Sequence, residues 1–168
     1  MHELLKNRRS IRRYKPDQVP EDLLDAVLEA GLYAPTGMNR QNVVMVAVRD
    51  KATRDQLSRM NAAVMGTTND PFYGAPCVIV VLGDASNYPV VENGSLVLGN
   101  LMNAAYEAGL GSCWIHRARQ MFETEEGKAL LHKWGLPDTL IGVGNCILGY
   151  PDEAPEAKPR LPGRIVKV

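Results

Sequence analysis

A chain of 168 residues with 45% hydrophobic and 23% charged side chains is long enough to bury a sizeable core as one domain, 1–168, and too apolar to be disordered throughout. Its 19 basic and 19 acidic side chains cancel, which argues against a dedicated nucleic-acid binder, because such domains carry a basic excess against phosphates. No run approaches the roughly 20 apolar residues that span a bilayer, and the opening MHELLKNRRS has no apolar h-region, so a cytoplasmic protein without a signal peptide is expected.

Residues 2–8 suit a short helix, and Pro16 stops whatever precedes it. VPEDLLDAVLEAGLYAP carries helix signals: Pro20 suits a first position, Glu21 and Asp22 suit the positive end of the dipole, and Leu23, Leu24, Val27, Leu28 and Leu32 share one face. Pro35 and Gly37 end it in the loop APTGMNRQN. VVMVAV (43–48) is apolar and β-branched, as a buried strand would be. DKATRDQLSRMNAAV reads as an amphipathic helix, and a loop, MGTTNDPFYGAP, leads to a second buried strand at 77–83. Residues 90–110 form a long helix, apolar over much of its circumference, which belongs in a core or an interface. SCWI begins a short strand, ETEEGKALLHKWG a polar-faced helix and LIGVGNCILGY a further strand. Beyond Pro151 the chain is rich in proline and charge and ends in the strand-like RIVKV. Strands alternate with helices, which gives an α/β or α+β single domain.

Cys77, Cys113 and Cys146 are far apart, odd in number and set in apolar runs. They show neither metal-ligand nor C-x-x-C spacing, so free buried thiols in a reducing compartment are expected, and no metal site. The histidines, His2, His116 and His132, are scattered; His132 sits on a polar helix and suits a solvated position. There is no G-x-G-x-x-G, no G-x-S-x-G elbow and no H-E-x-x-H, and no carboxylate pair stands out for acid–base chemistry. GVGNCILG has glycines, but inside a strand-like run rather than at a strand-to-helix turn.

The basic cluster NRRSIRRY is the exception in a neutral chain. Arginine offers a planar fork that matches phosphate oxygens, and a serine hydroxyl adds a donor. In an extended segment Arg8, Ser10 and Arg12 would share one face. An ordinary solvated surface fits the same residues, as a solvated tail fits Lys158 and Arg160.

NRRSIRRY, LYAPTGMNRQN, APCVIVV, NLMNAAYEAGLGSCWI and LGYPDEAPEAKPRLP occur in the order and at roughly the spacing of the FMN-dependent nitroreductase family, which the chain resembles over about residues 3–165. The resemblance implies an α+β fold, a mixed central sheet flanked by helices, in an intertwined homodimer with two FMN molecules at the interface. It implies that Arg8, Arg9, Ser10 and Arg12 hold the FMN phosphate and ribityl chain, with Arg13 outside the pattern. Lys158 and Arg160 match a basic pair that returns to the same phosphate, in a tail (151–168) that reaches the partner. Pro35, Thr36 and Gly37 match the loop that reaches the partner's flavin, with Asn39 and Gln41 shaping that loop. Asn93 matches a polar contact from the long helix, and Trp114, Ile115 and His116 match the segment covering one face of the isoalloxazine.

The sequence departs from the family pattern in places. The loop reads Gln41-Asn42-Val43 where Gln-Pro-Trp is frequent, Glu92 stands where aspartate is common, and Gly99 where glutamine is common. The step from strand 77–83 to the long helix is short, where many members carry helical insertions over the site, so a more open substrate site is expected. The resemblance implies a ping-pong oxidoreductase using NADH or NADPH to reduce nitroaromatics, quinones or related small acceptors, with no catalytic acid or base. Two other readings stay open: same-fold flavin chemistry such as reductive dehalogenation or dehydrogenation, and a non-enzymatic FMN-binding protein.

Overall fold

The computed structural model describes residues 3–168; Met1 and His2 lie outside the described residues, including the first residue of the helix expected at 2–8. That helix is α1, Glu3–Asn7. α2, Glu21–Leu32, starts after Pro20 and turns Leu24 and Val27 inward. β1 spans Val43–Val48 and α3 Lys51–Met65. The start of α3 is fixed by Asp50, whose carboxylate accepts from Thr53 N at 2.8 Å; its end is fixed by Gly66, whose φ of 71° suits a residue without a Cβ. β2 is Cys77–Asp84, α4 Val90–Glu107, β3 Gly111–Ile115 and β4 Leu140–Gly149. Two helices fill the step from β3 to β4: α5, Ala118–Glu123, and α6, Glu125–Lys133, which Thr124 caps through Gly127 N at 3.0 Å.

The strand order is β1-β2-β4-β3, and every pair of neighbours is antiparallel. The expected mixed sheet is therefore corrected: among the described residues the parallel pairing is an isolated bridge from Ser10 to Ser112. The largely apolar runs of β2 and β4 are not the mark of parallel strands here. They arise because helices cover both faces of the sheet. Val78, Val80 and Leu82 pack with Leu57 of α3, Met121 of α5 and Leu131 of α6. The alternate residues Cys77, Ile79 and Val81 pack with Val27 of α2 and Leu98 and Leu101 of α4. Fully burying a side chain such as Leu98 contributes on the order of 1.5–3 kcal/mol. α4 seats closely because Gly94 leaves room: a Cβ there would come within 2.6 Å of Val143.

Two further expectations change, and one helix was not expected. β1 is an edge strand, with most residues half-buried and Ala47 exposed, rather than a buried one. α5 carries no capping signal in the sequence and is seen only in the fold. RIVKV forms no strand within this chain: residues 155–168 are exposed throughout, including Leu161, Ile165 and Val166. The apolar content of α4 is largely consumed inside the chain by Val97, Leu98 and Leu101, while Val91 and Leu96 stay exposed. No helix of the described residues is long and apolar enough to cross a membrane.

Candidate functional site

The arginine segment follows α1 and runs between the start of β3 and the chain leaving β4. Ile11 N donates to Ser112 O at 3.0 Å, Lys15 N to Tyr150 O at 2.9 Å, and Asp152 N to Arg13 O at 2.9 Å. Arg12 N donates to a Glu153 carboxylate oxygen, and Tyr14 OH to Ile11 O at 2.7 Å. So pinned, the arginines diverge. Arg8 and Arg9 line a cavity of about 280 Å³ with Tyr106, Ser112 and Glu153. Arg12 lines a neighbouring cavity of about 340 Å³. Arg9 spends Nη1 on the carbonyls of Lys6 (2.6 Å) and Arg8 (2.8 Å), and Arg13 pairs with Asp152 at 3.3 Å. Arg8 differs: its Nη1 is buried with no hydrogen-bond partner, as is Ser112 Oγ. A guanidinium nitrogen out of water without an acceptor is costly, and an anion would remove that cost.

The 340 Å³ cavity lies along β3. Cys113, Trp114, Ile115, His116 and Arg117 border it on one side, and Met65, Thr67, Asn69 and Tyr73 on the other. β4 pairs with only one edge of β3, so beyond the Ser10 bridge the other edge presents free backbone groups. The Trp114 indole turns into the α2–α4 core beside Gly144, and its Nε1 has no partner. Burial raises the Cys113 thiol above its ordinary value, against the pull of Arg12, so it stays protonated at neutral pH.

The loop expected to serve a partner's site lies elsewhere. The loop at 35–41 precedes β1, at the opposite edge of the sheet from β3. Three strand spacings separate those edges, about 14 Å. Met38, Asn39 and Gln41 have φ of 55°, 53° and 51°, a left-handed conformation that needs support. Thr36 Oγ1 accepts from Gln41 N at 3.0 Å, Gln41 Nε2 donates to Asn39 Oδ1 at 3.2 Å, and Asn93 Oδ1 accepts from Gly37 N at 2.9 Å. Asn93 Nδ2 donates to Asn42 Oδ1 at 2.8 Å, so both polar atoms of Asn93 are engaged in bracing this loop. Gly37 is a close approach: a Cβ there would come within 2.7 Å of Pro89 Cδ. Lys158 and Arg160 are exposed on the tail, which leaves the Arg8 cavity at Pro155.

Residues 5–150 match the family model described as the nitroreductase family. The chain belongs to the nitroreductase family. A putative NADH dehydrogenase/NAD(P)H nitroreductase of Archaeoglobus fulgidus is 33% identical over 162 residues, covering 91% of this chain and 88% of that one. The structure of a Bacteroides fragilis nitroreductase with bound FMN superposes with a TM-score of 0.90 at 28% identity, over 100% of both chains. The structure of an oxidised iodotyrosine deiodinase bound to FMN and 3-iodo-L-tyrosine superposes with a TM-score of 0.79 at 25% identity, over 99% of this chain and 98% of that one.

Sequence reasoning missed the far wall of the β3 cavity, at the end of α3 and on the loop after it. Its residues carry no charge cluster or motif, so nothing in the sequence marked it. That loop is held by Arg54, which is buried. Its Nε donates to Ala75 O at 2.9 Å, its Nη2 pairs with Asp70 at 2.7 Å, and its guanidinium lies 5.6 Å from the Phe72 ring. Burial alone would raise the Asp70 carboxyl, but hydrogen bonds from Arg54, Ser58 and the N–H groups of Gly74 and Phe72 hold it below its ordinary value. A further cavity, about 630 Å³, is also lined by Arg54 and Asp70. Its buried cation is already paired, so it serves the loop rather than a ligand.

Proposed function

We propose that this chain is an FMN-dependent oxidoreductase that takes electrons from NADH or NADPH and passes them to a small acceptor such as a nitroaromatic or a quinone, working as a homodimer. The residues fit the cofactor. Arg8 and Ser112 carry buried donors without partners beside Ser10, where a phosphate would complete them. The β3 cavity combines apolar side chains, Met65, Pro71, Tyr73 and Ile115, with polar ones, Arg12, Asn69 and Asp70, a mixture that suits a planar ring bearing heteroatoms. When bound, FMN supplies the redox chemistry, accepting a hydride from the nicotinamide and delivering electrons to the second substrate in a ping-pong cycle.

The protein's part is binding, orientation and exclusion of water. Arg8 and Ser10 hold the phosphate end, and Lys158 and Arg160 on the tail add charge to it. Arg12 sits in the ring cavity and supplies a cation there. Met65 and Tyr73 close the far wall, and Cys113 stays a neutral thiol. Pro35, Thr36 and Gly37 complete the site of a second copy, since they sit at the opposite sheet edge from their own chain's arginines. The exposed Leu161, Ile165 and Val166 of the tail give that second copy an apolar strap.

The observation that carries this reading is the unpartnered, buried Nη1 of Arg8 at the mouth of the family's phosphate segment. The test is anaerobic reduction of the FMN-loaded protein by NADH and by NADPH, followed by reoxidation with a panel of acceptors. Bleaching of the flavin band by either nucleotide, and its return with nitroaromatic or quinone, supports the reading. A flavin that neither nucleotide reduces favours a non-enzymatic FMN-binding protein. The likeness to the deiodinase supports a second reading, reductive dehalogenation, so a halogenated phenol belongs in the panel.

A further inference from the structure

Asn61 on α3 is 0% exposed, in a core built from Leu57, Met60, Met121 and Phe122. A buried amide is costly unless its polar atoms are bonded, so its partners say what it is for. Nδ2 donates to the carbonyl of His116 at 2.7 Å and lies 3.2 Å from Met121 Sδ. From the sheet side Asn145 of β4, also 0% exposed, directs Nδ2 at the carbonyl of Ile115 at 3.4 Å. Two interior amides from separate elements thus converge on two successive carbonyls at the end of β3. Neither Oδ1 has a partner, so the pair is not a self-contained polar network. Turning Asn61 over would set Oδ1 against the His116 carbonyl, so the grip on that carbonyl fixes its orientation.

The peptide between His116 and Arg117 is trans, and in a trans peptide the C=O and N–H point in opposite directions. Drawing the His116 carbonyl into the core therefore turns the Arg117 N–H outward, to the cavity that His116 and Arg117 line. That N–H has no partner among the described residues. Arg117 has φ 76°, left-handed for a residue with a large side chain, and such a conformation persists only where its surroundings hold it.

We propose that Asn61 is a positioning residue: by gripping the His116 carbonyl it aims the Arg117 N–H at the electron-accepting ring held in the β3 cavity. The inference rests on the flavin reading above. A fixed donor beside the ring favours the charge that the ring gains on reduction, and it costs no reorganisation when that charge arrives. Asn145 supports the same turn through a longer, weaker contact.

The test compares wild type with Asn61→Leu, which keeps the bulk and removes the donor. Midpoint potential at saturating FMN, dissociation constants for FMN and riboflavin, and a thermal melt followed by circular dichroism are measured on each. The expected result is a folded variant whose potential moves to more negative values and whose affinity for FMN and for riboflavin falls by the same factor, about five- to tenfold, the scale of one hydrogen bond. Asn145→Leu moves the same readouts in the same direction by less. A folded Asn61→Leu with wild-type potential and affinity overturns the proposal. If Asn61→Leu does not fold, Asn61→Ser, whose hydroxyl is too short to reach the carbonyl, carries the same expectation; failure of both to fold marks Asn61 as purely structural and overturns it too. A wild-type chain that binds no flavin overturns the proposed function and this inference together. A wild type that binds, with a variant that binds identically, overturns this inference alone.

Discussion

Replacing Arg8 by alanine separates the phosphate from the rest of the cofactor. Arg8 Nη1 is buried and has no protein partner, so the free protein loses no hydrogen bond from that nitrogen when it is removed. What disappears is the bond that an anion would make there. A charge-assisted hydrogen bond contributes about 1.5–3 kcal/mol. At about 1.4 kcal/mol per factor of ten, FMN affinity falls roughly 10- to 150-fold. Riboflavin has the same ring and ribityl chain without the phosphate, so its affinity should be the same for the variant and for wild type. The assay is quenching of flavin fluorescence, titrated with both ligands at fixed ionic strength, because an exposed share of the attraction is screened by salt. Arg12→Ala provides the contrast: Arg12 lines the β3 cavity rather than the Arg8 cavity, so riboflavin and FMN should weaken together. Equal loss of both ligands in Arg8→Ala, or wild-type FMN affinity in that variant, would refute the assignment of Arg8 to the phosphate.

The Asp70 carboxyl is held below its ordinary value in the folded chain, so its contribution to stability is present above the unfolded value and is lost as pH falls through the folded one. The melting temperature of wild type should therefore drop below pH ~4, while Asp70→Asn should melt lower at pH 7 and change less with acid; parallel pH profiles would contradict this. Burial pushes the Cys77 thiol up to about 12 and also raises Cys113 and Cys146, so iodoacetamide at pH 8 should leave the native protein unlabelled and label all three thiols after unfolding, as read by mass spectrometry. Deleting residues 164–168 should lower the dimer fraction in light scattering, whereas Arg160→Ala should weaken FMN and leave the dimer intact. A deletion that leaves the dimer fraction unchanged would remove the tail from the interface.

The elements that were legible in the sequence are those whose signals are local. α2 carries its Pro20 start and one apolar stripe, α3 its amphipathic pattern, and β2 and β4 their largely apolar runs. What those runs do not carry is direction. A strand covered on both faces looks the same whether its neighbour is parallel or antiparallel, and the sheet proved antiparallel throughout the described residues. α5 is six residues long and is defined by packing, with Met121 and Phe122 in the core, rather than by any cap. For the site, charge density marked the arginine segment, but its separation into two cavities depends on Ser10 meeting Ser112 and Tyr14 meeting Pro151, contacts about a hundred residues or more apart in sequence. Asn93 was expected only through the family resemblance, as a polar contact from the long helix; that it braces the loop at Gly37 is tertiary information. Asn61 gave no signal, because an asparagine within an amphipathic helix ordinarily faces water.

In the proposed homodimer each site is completed by two copies of the chain, Arg8 from one and the Gly37 loop from the other. Co-expression of Arg8→Ala chains with Gly37→Val chains, whose added side chain collides with Pro89, tests this in one measurement of FMN bound per subunit. Each variant alone should bind FMN weakly. In a hybrid dimer one site carries both defects and the other carries neither, so random pairing should restore tight binding at about a quarter of all sites. Tight binding no greater than the average of the two separate variants would contradict the shared site, because it would mean that each chain builds its site alone.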